Sequence, residues 1–306
     1  MWKILFLILC TSWLSFAEAS DFSAGARGTT GAQFLELPAG ARAIAMGSAY
    51  SSINSDPFSV YFNPAGIGRI DKFNVGLMHA MYFQDIAYEC GVIAAPIGKL
   101  GVLGVSAQYL AVSKLAEVDK TGVPTGDSIK PNDMALSVTY AKQFGVVAFG
   151  VSAKRIKSQI LNSASTFAGD IGLQVVAGNL GFGLSVLNVG KGLKFDEEEN
   201  SLPTTGRVGA SVHLTSRWLI SIDGIAPKGT SPLLAAGTEY KLISSQLIKI
   251  SVRAGYNGRY ATSKLGGMAG LNAGAGLDFG SINIDYAWSP AGDLGSTQLF
   301  SLSLKL

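Results

Sequence analysis

Residues 171–190 read IGLQVVAGNLGFGLSVLNVG, an uncharged run long enough, at a helical rise of about 1.5 Å per residue, to cross a bilayer as a helix. Its internal pattern is that of strands. Large apolar residues fall on every second position, Ile171, Leu173 and Val175, then Leu180, Phe182, Leu184 and Val186, on either side of Gly178-Asn179. Between them stand Gly172, Gln174, Gly181, Gly183 and Ser185. A strand sends alternate side chains to opposite faces, so the stretch is a β-hairpin with one apolar face and one small or polar face.

The same period recurs outward from this hairpin. Ile282, Ile284, Tyr286 and Trp288 alternate with Asn283 and Asp285, Ile248 to Tyr256 with Lys249, Ser251 and Arg253, and Val208 to Leu214 with Arg207, Ser211 and His213. The charges share one face. A basic residue facing lipid at the bilayer midplane costs about 2–4 kcal/mol, so the register that turns Arg207, Lys249, Arg253, Asn283 and Asp285 towards a lumen is preferred. Strands are expected near 73–82, 87–95, 100–113, 132–142, 146–157, 164–176, 179–188, 203–214, 217–224, 232–242, 247–257, 270–279, 281–289 and 297–306. Their length suits an oblique crossing of a bilayer, longer than the strands of an ordinary soluble sandwich. Short connections such as 143–145, 177–178 and 215–216 are expected to alternate strictly with long ones such as 114–131 and 189–202. The fold class is therefore an all-β, transmembrane, antiparallel up-and-down β-barrel of about fourteen strands, its partner the outer-membrane lipid. With an even strand count, both chain ends are expected on the periplasmic side.

Composition agrees with a patterned membrane protein. The 306 residues are 48% hydrophobic yet only 15% charged, and 38 glycines argue against helices, in which glycine is costly. A net charge of +3, with no dense Lys/Arg block, excludes the electrostatic footprint of a nucleic-acid-binding protein. Met1 to Lys3, the apolar run Ile4 to Phe16 and Ala17-Glu18-Ala19 form an export signal, with cleavage near Ala19-Ser20. The mature chain then keeps Cys90 alone, and no internal disulfide is available. The domain reading is 1–19 signal peptide, 20–72 N-terminal segment and 73–306 transmembrane barrel.

Residues 24–71 do not alternate. Ala39 to Gly47 is a small-residue stretch with helix propensity, and Asp56-Pro57 and Asn63-Pro64-Ala65-Gly66 impose turns. A helix-containing plug lying close against a glycine-lined lumen fits this composition; a periplasmic tail is the alternative. The stretches 28–35, 40–49 and 61–67, with Asn283 to Trp288 and Gly292 to Gly295 near the end, resemble the PorV/PorQ family of outer-membrane proteins. Asn-Pro-Ala is shared with the wider FadL-like group of transporters of hydrophobic compounds, where it belongs to a hatch. The resemblance implies a fourteen-stranded FadL-like barrel with an N-terminal helical plug, whose motif would be Asn63, Pro64, Ala65 and Gly66.

Catalytic chemistry is not legible. His79 and His213 stand in separate strands without an acidic or cysteine cluster at metal-ligand spacing, Asp196 to Glu199 reads as a solvated acidic loop, and the glycines of 270–280 lack a strand-to-helix crossover. No enzyme activity, cofactor or metal site is expected. Two functions remain. The resemblance implies a type IX secretion component that binds exported cargo proteins near a translocon; the alternative is a FadL-like channel for hydrophobic small molecules. A lumen lined by Gln174, Arg207, Lys249, Arg253, Asn283 and Asp285 is expected to suit an apolar ligand poorly, although Phe34, Leu35, Leu37 and Met46 offer an apolar pocket. The ranking therefore favours cargo binding through the outer loops 114–131 and 196–199.

Overall fold

Alternation along the strands closes a barrel in the computed structural model, which describes residues 20–82, 86–119, 121–245, 247–259 and 268–306. The export signal expected over residues 1–19 lies outside them. In chain order the strands are β1 (Asn74–Met81), β2 (Ala87–Pro96), β3 (Val102–Ala111), β4 (Leu115–Val118), β5 (Pro124–Ile129), β6 (Asn132–Phe144), β7 (Val147–Gln159), β8 (Ser163–Ala177) and β9 (Leu180–Gly190). There follow β10 (Leu193–Phe195), β11 (Glu198–Asn200), β12 (Thr205–Thr215), β13 (Trp218–Pro227), β14 (Leu233–Ser244), β15 (Ile248–Asn257), β16 (Leu271–Phe279), β17 (Ile282–Pro290) and β18 (Ser296–Lys305). Among the described residues, fourteen of these pair antiparallel in a closed ring, and β1 meets β18 with Asn74 opposite Lys305. Closure removes every free sheet edge, the condition for strands to survive in lipid. The remaining four form two small hairpins, β4–β5 and β10–β11, inside the connections read as plain loops from the sequence.

The hairpin that opens the analysis is β8–β9, and its apolar set faces out: Ile171, Leu173, Leu180, Phe182, Leu184 and Val186 are all exposed on the outer wall. Its two-residue turn starts with Gly178 at φ +61°, and the β6–β7 and β16–β17 turns start likewise with Gly145 and Gly280 at φ +57° and +60°. Left-handed backbone of this kind is open to glycine without steric cost, which fixes these turns and the register on either side.

Short turns gather at one end, hereafter the turn end, and the small hairpins and most long connections at the other, the loop end. Outer-membrane barrels keep short turns towards the periplasm, an orientation that would put the loop end outside. The alternation of lengths is not strict. β7 and β8 are joined at the loop end by residues 160–162 alone, because their ladder holds register up to Gln159 opposite Ser163.

The N-terminus also departs from the expected topology. Asp21 lies among the loop-end connections, ion-paired with Lys228 at 3.1 Å, while β1 begins at the turn end. Residues 20–72 therefore run the length of the barrel from the loop end, and the last strand closes at the turn end. Within this segment the helix is short: α1 (Ala41–Ala45), bounded by Gly40 and Gly47, both at positive φ, with 3-10 turns at Gln33–Glu36, Pro57–Tyr61 and Pro64–Arg69.

Candidate functional site: the filled lumen

Inward-facing glycines decide where the N-terminal segment lies. Gly150 and Gly172 are direct partners across β7 and β8, Gly183 and Gly209 across β9 and β12, and Gly237 and Gly255 across β14 and β15. A Cβ built on any of them overlaps or crowds its surroundings. Those at Gly150 and Gly172 run into Asn63-Pro64-Ala65, that at Gly183 into Ser51-Ser52, and those at Gly237 and Gly255 into Met46-Gly47. Backbone thus replaces side chain along three bare patches of the wall, and the segment approaches more closely than any other residue type would allow.

Asn63-Pro64-Ala65-Gly66 sits on the first patch. Asn63, fully buried, caps the turn Pro64–Arg69 by accepting from the Ala65 N–H at 3.0 Å, while its Nδ2 donates to the carbonyls of Ser51 at 2.9 Å and Leu173 at 3.0 Å. One amide therefore satisfies a helix end, the segment itself and the wall strand β8. Pro64 takes the first helical position, where its missing N–H costs nothing. Gly66 lies against Ser59, with no room for a side chain.

Charge completes the docking. Arg42 on α1 reaches Glu239 of β14 through Nε at 2.8 Å and Nη2 at 2.9 Å, and Asp56 through Nη1 at 3.1 Å. Arg253 Nε donates to the same Glu239 at 2.6 Å and its Nη1 to Asp285 at 2.7 Å. The Tyr50 hydroxyl donates to Asp56 at 2.7 Å. On the neighbouring wall Arg207 pairs with Asp223 at 2.9 Å and donates to Ser51 Oγ and the Ser48 carbonyl, and Asp223 also accepts the N–H groups of Tyr50 and Ser51. Apart from Arg42, a quarter exposed, these charges are largely buried, and each is ion-paired, the condition under which burial is tolerable; Asp223 Oδ1 is left without a hydrogen-bond partner among the described residues.

The residues read from sequence as lumen-facing thus fall into two sets. Arg253 and Asp285 pair with each other on the wall, Arg253 also with Glu239, and Arg207 binds Asp223 of the wall and Ser48 and Ser51 of the segment. Lys249 and Asn283 stand in one register row on either side of Asp278 at the turn end, Lys249 exposed at the rim. The inward face is not small or polar throughout. On β1 to β3 the inward positions include Met78, Tyr88, Cys90 and Val92, packed with Phe58, Val60 and Ile67 of the segment. Asp223 and Glu239, which answer the arginines, had not been singled out in the sequence, although Glu239 shares the inward parity of Ala235 and Gly237. Among the described residues no group of three or more His, Cys, Asp or Glu side chains could hold a metal.

Above the docked segment, at the loop end, residues 20–38 form an arm across the mouth. Its contacts include the Asp21–Lys228 pair, the Gly229 N–H to the Asp21 carbonyl at 2.8 Å, the Gly31 N–H to the Ser201 carbonyl at 2.9 Å, the Tyr88 hydroxyl to the Leu37 carbonyl at 3.1 Å, and Glu36 with Arg259 at 3.0 and 3.1 Å. Phe34 seats with Ile156, Leu193 and Leu202. Two cavities lie beneath this arm. One of about 40 Å³ is bounded by Leu35, Leu37, Phe62, Ile225 and Leu233, with Arg207 and Arg259 at its polar edge. The other, about 50 Å³, is bounded by Ile44, Tyr82, Pro290 and Leu299, and both share Pro38, Ser48 and Asn257. Each has room for a few waters, against the order of 150 Å³ of a cavity that holds benzene.

No protein-family model matches the sequence, and no curated protein matches it. Solved structures do. A TodX deltaS2S3 mutant, a monoaromatic hydrocarbon channel, superposes with a TM-score of 0.63 at 13% identity over 88% of this chain and 99% of its own. The Ralstonia pickettii toluene transporter TbuX gives 0.58 at 14% identity over 88% and 98%. A Pseudomonas aeruginosa FadL homologue gives 0.51 at 12% identity over 84% and 95%. At these identities the correspondence is one of fold: the chain shares with these outer-membrane barrels a closed antiparallel β-barrel, here of fourteen strands with an apolar outer wall.

Proposed function

We propose that this barrel admits small apolar compounds through its loop-end mouth for passage across the outer membrane, with residues 20–72 acting as the plug that closes its lumen. The observation that carries the reading is the pair of cavities beneath the arm: Ile44, Tyr82, Pro290 and Leu299 line the more apolar one, and Leu35, Leu37, Phe62, Ile225 and Leu233 give the other an apolar side that faces the polar groups of Glu36, Asn188, Arg207 and Arg259. That barrels of the same fold include a monoaromatic hydrocarbon channel and a toluene transporter supports it.

Neither cavity holds an aromatic ring as it stands, so admission requires the arm to shift. The arm is held by the Asp21–Lys228 pair at the rim, of an exposed kind that contributes about 0–1 kcal/mol, by the largely buried Glu36–Arg259 pair and by Phe34 in its apolar seat, whereas α1 is tied to the wall by the charge network around Glu239. Opening belongs to residues 20–38 and closure to the segment below them.

This order reverses the ranking reached from sequence. There the polar lumen counted against an apolar ligand, but Arg253, Asp285 and Arg207 are engaged with the wall and the plug and do not line the cavities, except at the Arg207 edge. The type IX cargo-binding reading rests on the PorV/PorQ resemblance of the sequence alone. Deletion of the gene separates the two. Reduced entry of labelled toluene with an unaltered set of secreted proteins supports uptake, and normal entry with a depleted secretome overturns it.

A further inference from the structure

Charge is rare on the outer wall. Among the described residues of the fourteen barrel strands, the outward positions carry Glu89, hydrogen-bonded to His79 at 2.6 Å, Lys142, over the Phe144 ring at the turn end, and Arg155 with Lys157 on the loop-end half of β7. The first pair is mutually satisfied. Arg155 and Lys157 are exposed, and neither side chain makes an ion pair or a hydrogen bond with any described residue. Their outward neighbours offer no counter-charge: Arg155 stands between Leu136 and Phe167, and Lys157 between Met134 and Ser165.

Their height on the wall says what meets them. Below them the outward residues of β7 are Val147, Phe149, Val151 and Ala153. At about 3.3 Å per residue and a strand tilt of about 40°, Arg155 stands roughly 20 Å and Lys157 roughly 25 Å above Val147, the upper edge of an apolar band of about 25 Å. An unpaired cation is costly at the midplane and cheap at this edge, where lipid headgroups replace hydrocarbon. With the loop end outside, the headgroups are those of the outer leaflet. Arginine's planar fork matches phosphate oxygens bidentately, and lysine two residues along adds a point charge on the same face.

We propose that Arg155 and Lys157 form a binding site for the phosphate of an outer-leaflet lipid, whose acyl chains lie along Val151, Ala153, Leu136 and Val138. The two cations supply the recognition, and the apolar wall beneath restricts it to an amphiphile.

The test is native mass spectrometry of the detergent-purified barrel titrated with diphosphorylated lipid A. The R155Q/K157Q variant should lose affinity by at least about tenfold, as expected when charge-assisted hydrogen bonds are removed, while K142Q binds like the wild type. Both variants change the outer surface only, and heat-modifiable gel migration confirms that they are folded. A dephosphorylated lipid with the same acyl chains should bind the wild type no better than the diphosphorylated one binds R155Q/K157Q. Millimolar inorganic phosphate should leave the lipid in place. Equal lipid binding by R155Q/K157Q, equal binding of the dephosphorylated lipid, or displacement by inorganic phosphate would each overturn the proposal.

Discussion

Gly150 and Gly172 lie directly opposite each other on β7 and β8, and Asn63-Pro64-Ala65 occupies the space their absent side chains leave. The barrel wall and the segment inside it are thus shaped for one another by atoms that are missing. Replacing Gly172 with valine inserts a branched side chain against Asn63 Oδ1 and the Pro64 ring. The strand itself tolerates valine, so the barrel should still migrate as folded while the segment is dislodged, at a cost of about 1–3 kcal/mol typical of overpacking. Faster proteolysis within residues 39–70 and a larger single-channel conductance are the expected readouts.

Asn63 separates its two roles by chemistry. Asn63→Asp keeps an acceptor for the Ala65 N–H but loses the Nδ2 donations and sets a carboxylate against the carbonyls of Ser51, Leu173 and Leu184. Were the cap all that mattered, aspartate would be harmless and alanine would cost about 0.5–2 kcal/mol. The structure makes aspartate at least as damaging as alanine, which a comparison of thermal unfolding midpoints in detergent would show.

The sequence carries the wall far better than its contents. Each of the fourteen strands lies within three residues of its expected bounds, because an outward apolar face against lipid imposes alternation at every step, as from Leu180 to Val186. Inside, the constraint is pairwise and long-range. Nothing local to Arg42 says that it meets Glu239, 197 positions away. Likewise, the non-alternating inward residues Met78, Cys90 and Val92 make sense only once Phe58 and Ile67 are seated against them. The loop-end position of Asp21 is hidden for the same reason: a strand count places the barrel's ends and not a segment that threads its lumen.

Arg42 is the single side chain that ties α1 to both the wall and Asp56. Arg42→Met leaves Glu239 with Arg253 alone and strips Asp56 of its cation, and unpairing a buried charge costs about 3–5 kcal/mol. A loss near the lower figure is expected, since Arg42 is a quarter exposed. Denaturant titration of R42M against wild type, with tryptophan fluorescence for the wall and protease sensitivity for the segment, should show the segment released first.

Topology is accessible to cysteine labelling, because Cys90 is buried and gives little background. Asp21→Cys should react with an impermeant maleimide on intact cells, and Lys249→Cys only after the outer membrane is opened. The opposite pattern would invert the barrel, and labelling of both residues only after opening would place residue 21 at the turn end.

Uptake through the cavities beneath the arm is tested most directly by the initial rate of labelled toluene entry into cells that lack the gene and are complemented with wild type or with Leu37→Trp. The indole would fill the cavity of about 40 Å³ without touching the Glu239 network. Wild type should restore entry and Leu37→Trp, present in the membrane in equal amount and heat-modifiable, should not. Entry at the wild-type rate through the Leu37→Trp barrel, or no difference between complemented and uncomplemented cells, would contradict the account.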